Sequence, residues 1–145
     1  MIARDGVQPP AITPTDLNKT VVTQGKLPLV DELFTSSFTI NGQTATPEGI
    51  KQWVTSVRAA FPDVQVFIED QVAEGDRVAT RRTFRSTHLG EFVSPFGRVS
   101  PTGKRIAWHQ LSIVRIARDQ MIEDTVILDD VRLLQQLGAT ITLHT

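Results

Sequence analysis

From residue 64 onward the apolar residues stop recurring every three or four positions and begin to alternate. Val64, Val66 and Ile68 lie two apart, the period of a strand with one covered face. The Glu74-Gly75-Asp76 turn joins them to a second strand over residues 77–87, and Arg118-Asp119 separates two more, 105–117 and 120–128. Such strands need an apolar cover, and the chain before residue 62 supplies it. Thr13-Pro14-Thr15-Asp16 combines a hydroxyl cap, a proline with preset φ and an acid at the positive helix end, which predicts a helix to about Gln24, stopped by Gly25. Leu29, Val30, Leu33 and Phe34 have helical spacing, residues 37–40 predict a short strand, and Asn41-Gly42 closes it as a turn. Thr46-Pro47-Glu48 repeats the start signal; Ile50, Trp53, Val54, Val57 and Phe61 then share one helical face, ended by Pro62. Residues 90–103, interrupted by Pro95, Gly97 and Pro101, predict a loop, and an amphipathic helix over 131–137 ends at Gly138. Helices first, strands after them and a terminal helix predict an α+β fold, with helices on one face of a curved antiparallel sheet.

The length of 145 residues suits one domain, expected over 13–140, after a flexible tail over 1–12 in which Pro9 and Pro10 oppose a helix. Fifteen basic residues against sixteen acidic ones leave a net charge of −1, which argues against a nucleic-acid partner. The absence of cysteine excludes disulfides, thiolate nucleophiles and cysteine-based metal centres. His88, His109 and His144 are scattered without a second ligand at close spacing, so no metal site is expected. No apolar run approaches a membrane span, and residues 1–10 lack the apolar core of a signal peptide; a cytoplasmic protein with no membrane partner is the expectation.

Seven strings then stand in one order along the chain. They are Val30-Asp31-Glu32-Leu33-Phe34, Thr46-Pro47-Glu48-Gly49-Ile50, Arg58-Ala59-Ala60-Phe61-Pro62-Asp63, Glu74-Gly75-Asp76-Arg77-Val78-Ala79, Thr87-His88-Leu89-Gly90-Glu91-Phe92, Pro101-Thr102-Gly103-Lys104-Arg105 and Leu133-Leu134-Gln135-Gln136-Leu137-Gly138. In that order, over about residues 17–138, the chain resembles the SnoaL-like polyketide cyclase and ester cyclase family of the nuclear-transport-factor-2-like superfamily. The resemblance implies a cone-shaped sheet with an enclosed hydrophobic pocket, a homodimer or larger homo-oligomer, and ring closure of a polyketide ester by aldol chemistry without metal or cofactor. An aspartate does the acid–base work in the ring-closing members, and the matching place here holds Val126. Their pocket glutamine matches Gln110, and a histidine's place is taken by Ser112. Relatives on the same fold isomerise steroids with a tyrosine that donates to the enolate oxygen, but this chain contains no tyrosine. Others open epoxides or only bind, so the fold alone does not define the reaction.

The closing hairpin carries the candidate chemistry. If its turn centres on Arg118-Asp119, Ala117 faces Gln120 and counting outward sets Asp129 opposite Trp108. Trp108, Gln110, Ser112, Thr125, Ile127 and Asp129 then share one face, and His109, Leu111, Ile113, Arg115, Asp124, Val126 and Leu128 the other; a bulge would exchange the faces for part of the hairpin. A carboxylate at the rim of an apolar cone loses solvation and becomes a proton carrier near neutral pH, which marks Asp129 as the catalytic acid–base. Asp129 also directly precedes the last helix, where it suits a backbone cap. Gln110 is expected to donate to a developing enolate and His109 to serve as a second catalytic group, while Trp108, Ser112, Thr125, His88 and Phe92 are expected to contact substrate. Arg81 and Arg82 are neighbours on one strand and point to opposite faces, a solvated face being the default for both. The expected function is cofactor-independent cyclisation or isomerisation of a hydrophobic polyketide-like carbonyl compound; the alternative is a non-catalytic protein that binds a small hydrophobic molecule.

Overall fold

The computed structural model describes residues 2–3 and 16–144. The helix-start signal at Thr13-Pro14-Thr15 and most of the tail lie outside them. Residues Ile2–Ala3 form a two-residue strand, β1. Asp16–Thr23 follows as a π-helical segment, then α1 (Leu29–Leu33), β2 (Phe34–Ile40), β3 (Gln43–Ala45) and α2 (Pro47–Ala60). The remaining elements are β4 (Gln65–Glu74), β5 (Arg77–Thr87), β6 (Phe92–Ser94), β7 (Gly97–Val99), β8 (Arg105–Ala117), β9 (Gln120–Leu128) and α3 (Asp130–Gln136). The main sheet runs in the order β1-β4-β5-β8-β9-β2-β3, and β6 with β7 forms a separate hairpin. The result is the α+β cone of the nuclear-transport-factor-2-like kind, with the helices closing one face of a curved sheet.

Differences from the expected elements have local causes. Phe34 opens β2 instead of closing a helix, because it and Phe38 turn inward together, 2% and 3% exposed, with ring centroids 4.5 Å apart. β3 returns across the Asn41-Gly42 turn, whose φ values of 51° and 79° suit an asparagine–glycine hairpin. The expected loop over 90–103 contains the β6–β7 hairpin, with Phe92 opposite Val99. Three-residue strands are too short for alternation to register in sequence.

One aromatic stack ties the helices to the sheet. Trp108 on β8 lies flat on Phe84 of β5 at 4.8 Å, and Phe61, just beyond α2, packs on Trp108 at 4.9 Å. Phe92 and His88 both lean on Phe61, at 5.3 and 5.5 Å. The Thr87-His88-Leu89-Gly90 string also finishes α2: the amides of Leu89 and Gly90 both donate to the Ala60 carbonyl at 3.0 Å, satisfying a helix end that would otherwise be orphaned. At this approach a Cβ on Gly90 would lie 2.0 Å from the Ala59 carbonyl oxygen. Gly90→Ala is therefore expected to cost about 3 kcal/mol or more in urea unfolding, since the obstacle is backbone and cannot step aside; a loss below about 1 kcal/mol would show that this approach is not needed.

Candidate functional site

The site is set by the register of β8 against β9. Arg118 and Asp119 take φ of 51° and 62°, and Ala117 pairs with Gln120 as counted from the sequence. The ladder then slips. Ile116 pairs with Met121 but Arg115 pairs with Glu123, so Ile122 is an extra residue in β9. Beyond it Val114 faces Asp124, Ser112 faces Val126 and Gln110 faces Leu128. The slip corrects the expected faces on β9: Asp124, Val126 and Leu128 turn inward beside Gln110 and Ser112, while exposed Thr125 and Ile127 turn out. It seats two aliphatic side chains inside and sets Glu123 near Arg115, 3.8 Å away on the outer face.

The inward face lines a cavity of about 510 Å³. Its walls come from Leu17 in the π-helical segment, Phe34 and Ile40 on β2, Ala45 on β3, Ile50 and Trp53 on α2, and Val126 and Leu128 on β9. Arg82, Gln110 and Asp124 bring polar groups to this lining. Arg82 is only 3% exposed. Its Nη1 donates to Gln110 Oε1 and its Nη2 to Ser112 Oγ, a fork across neighbouring strands made possible by the Arg82–Gln110 register pairing. Arg82 Nε and Asp124 Oδ1 are buried without a hydrogen-bond partner.

Burial governs the electrostatics. It lifts the Asp124 carboxyl from 3.8 to about 6, against the opposing pull of the Arg82 charge. The same burial lowers Arg82 to about 10, with Asp124 working the other way, so the guanidinium keeps its charge at neutral pH. A carboxyl that titrates near neutrality beside a permanent cation, in a mostly apolar hollow, can take a proton from carbon and stabilise the charge left behind. Among the described residues no three His, Cys, Asp or Glu side chains gather as metal ligands.

The other residues singled out from sequence are dispersed. Gln110 and Ser112 are brought together by Arg82. Trp108 is packed into the aromatic stack, 4% exposed. His109 is on the outer face, its Nδ1 3.1 Å from Thr83 Oγ1. Asp129 has no side-chain capping bond although it stands at the N-terminus of α3; its carboxylate meets Arg132 at 3.3 Å instead. His88 is fully buried, and its Nδ1 accepts from the Thr102 amide at 3.2 Å. Burial pushes His88 below the ordinary histidine value, only partly offset by the Gly90 backbone, and its Nε2 has no hydrogen-bond partner. Phe92 braces Phe61.

Arg82 and Asp124 are the residues that sequence reasoning missed. Val78, Thr80, Arg82, Phe84 and Ser86 share one parity along β5 and are all buried. That alternation selects Arg82 as the inward arginine.

The SnoaL-like polyketide cyclase profile matches residues 15–137, and the chain is a member of that family. No curated protein sequence matches it significantly. Among solved structures, IdmH of Streptomyces antibioticus, a candidate polyketide cyclase, is 29% identical; the match has a TM-score of 0.76 and covers 91% of this chain and 100% of that one. AclR of Streptomyces galilaeus, a candidate hydroxylase, is 26% identical with a TM-score of 0.71 over 84% of this chain and 90% of the other. A SnoaL-like polyketide cyclase from Agrobacterium tumefaciens shares the fold at 18% identity, with a TM-score of 0.70 over 83% and 92%.

The raised carboxyl has a consequence for stability. Asp124 binds its proton more tightly folded, at about 6, than its ordinary value of 3.8. Its contribution to stability is therefore complete below pH 4 and is lost as pH rises through 6. Asparagine does not titrate. The stability of Asp124→Asn relative to wild type should rise by about 2 kcal/mol between pH 4 and pH 7 in urea unfolding; a constant difference would mean that the carboxyl is solvated.

Proposed function

We propose that this chain is a cyclase or isomerase for a hydrophobic polyketide-like carbonyl compound, and that Asp124 moves the proton. The observation that carries the proposal is the placement of the Asp124 carboxyl, with a buried and unpartnered oxygen, and the buried Arg82 guanidinium in one cavity. As carboxylate, Asp124 removes a proton from the carbon next to a carbonyl, and the electron pair moves onto the carbonyl oxygen as an enolate. Arg82, held in a fixed direction by Gln110 and Ser112, offsets that charge. Because Gln110 uses its carbonyl and Ser112 a lone pair to accept from Arg82, the Gln110 NH₂ and the Ser112 hydroxyl proton remain available to donate. In ring closure the enolate carbon attacks a second carbonyl of the same molecule, and the alkoxide recovers the proton from Asp124. No cofactor enters these steps.

The alternative, a binding protein that leaves its ligand unaltered, is favoured by Val126, which lines the cavity at the place that the family resemblance gives to an acid–base aspartate. Turnover separates the two. With a cyclisable β-keto ester as substrate, Asp124→Asn is expected to lower kcat by about 10²–10⁴-fold, whereas Asp129→Asn, on the α3 surface, should leave it nearly unchanged. Since the carboxylate is the working form, kcat/KM should climb as pH rises through about 6. Equal turnover by Asp124→Asn and wild type would remove Asp124 from the mechanism. Recovery of an intact ligand by mass spectrometry with no turnover would favour binding.

A second copy of the chain is the proposed partner. The outer face of the sheet exposes Phe67, Val72, Leu111, Ile113 and Ile127, between 42% and 69%. Paired registers set Leu111 beside Ile127, so apolar groups adjoin across strands. A contiguous apolar patch on a sheet face is disfavoured in water, and self-pairing about a two-fold axis is the commonest cover. Leu111→Glu should convert a dimer to a monomer in light scattering; a monomeric wild type would refute the assignment.

A further inference from the structure

The slip that turns Asp124 inward must be held open, and the fold supplies a device outside the cavity lining. The parallel ladder of β2 and β9 ends with Ile40 opposite Asp124. The next residue, Asn41, has turned into the left-handed region with φ of 51°, yet stays attached to β9. Its amide donates to the Asp124 carbonyl at 2.9 Å. Its side chain then behaves as one more strand residue: Nδ2 donates to the Val126 carbonyl at 3.0 Å, and Oδ1 accepts from the Val126 amide at 2.8 Å. Three bonds from one turn residue thus bracket the segment that carries Asp124.

We infer that Asn41 is a positioning residue for the proposed proton carrier, fixing β9 beyond the bulge so that Asp124 points into the cavity. The inference rests on the reading of Asp124 given above. Without the amide clamp β9 would have a free edge after Asp124, and the bulged strand could relax toward the unslipped register. That register would carry Asp124 to the outer face and hydrate it. The charged group facing Asp124 is Arg82 on β5; Gln110 and Ser112 on β8, Ile40 on β2 and Trp53 on α2 bring no charge. The depth of Asp124 therefore controls how readily it holds its proton.

Asn41→Gly isolates the clamp. Glycine accepts the left-handed φ, and Gly-Gly still makes a hairpin turn. It also keeps the backbone donor to the Asp124 carbonyl while removing both side-chain bonds. In the full-length chain labelled with ¹³C-carboxyl aspartate, the Asp124 signal is identified by its loss in Asp124→Asn. Wild-type Asp124 should titrate near 6, and in Asn41→Gly the midpoint should move down by about one pH unit with faster hydrogen exchange at the Val126 amide. A raised wild-type midpoint that Asn41→Gly does not alter, even where thermal stability falls, would overturn the positioning role and leave the reading of Asp124 standing. A wild-type midpoint at the ordinary aspartate value would sink both.

Discussion

One extra residue in β9 decides what the cavity contains. Strand alternation is strict, so a slip of one position exchanges the side-chain sets of the two sheet faces beyond it. With Ile122 inserted, Asp124, Val126 and Leu128 face Gln110 and Ser112; without it Thr125, Ile127 and Asp129 would do so. The inward register exchanges a solvated carboxylate near the mouth for a desolvated one within the cavity, and it leaves Ile127 on the surface at 69% exposure. A structure that accepts so exposed an isoleucine has been fitted to the needs of its interior or of a partner.

The buried guanidinium follows from the same geometry. An arginine in a mostly apolar cone costs several kcal/mol in lost hydration unless its donors are occupied. Arg82 meets this with hydrogen bonds to Gln110 and Ser112 and with the nearby charge of Asp124. The compensation is incomplete, since Arg82 Nε and Asp124 Oδ1 find no partner. Unsatisfied groups are uncommon in packed interiors and concentrate where a site has work to do beyond holding the chain together. A core built for stability alone would place an aliphatic side chain at residue 82.

The legibility of the chain follows the length of its signals. Long alternating runs and proline-initiated helices locate β4, β5, β8, β9 and α2 to within a residue or two, because each repeats its period several times. β3, β6 and β7 have three residues each and offer no repeat to count. The register of the last hairpin is legible at its turn, where Ala117 meets Gln120, and is lost two residues later, at Ile122. A bulge has no composition of its own; it appears when the tertiary environment rewards one face over the other. Counting through it assigned Asp129 to the cavity, although Asp129 meets Arg132 on the surface. Arg82 was hidden differently, by a general expectation that arginine is solvated, which overrode the parity of its own strand.

Membership of the family narrows the chemistry without naming it. A candidate cyclase and a candidate hydroxylase match this chain at nearly equal identity, so the shared cone cannot be what distinguishes their reactions. What a particular member does must depend on the few polar groups facing the cavity and on the strand register that aims them. In this chain those groups form a cross-strand fork on one side and a carboxyl on the other; burial lowers Arg82 only to about 10, so it stays charged at neutral pH, and raises Asp124 to about 6, each partly offset by the other's charge. For the proposed reaction, a fixed cation and a mobile proton facing one cavity are the minimum for making and quenching an enolate. Neither half would suffice alone: the cation would only bind an anion, and the carboxyl would have to form the enolate with no charge to receive it.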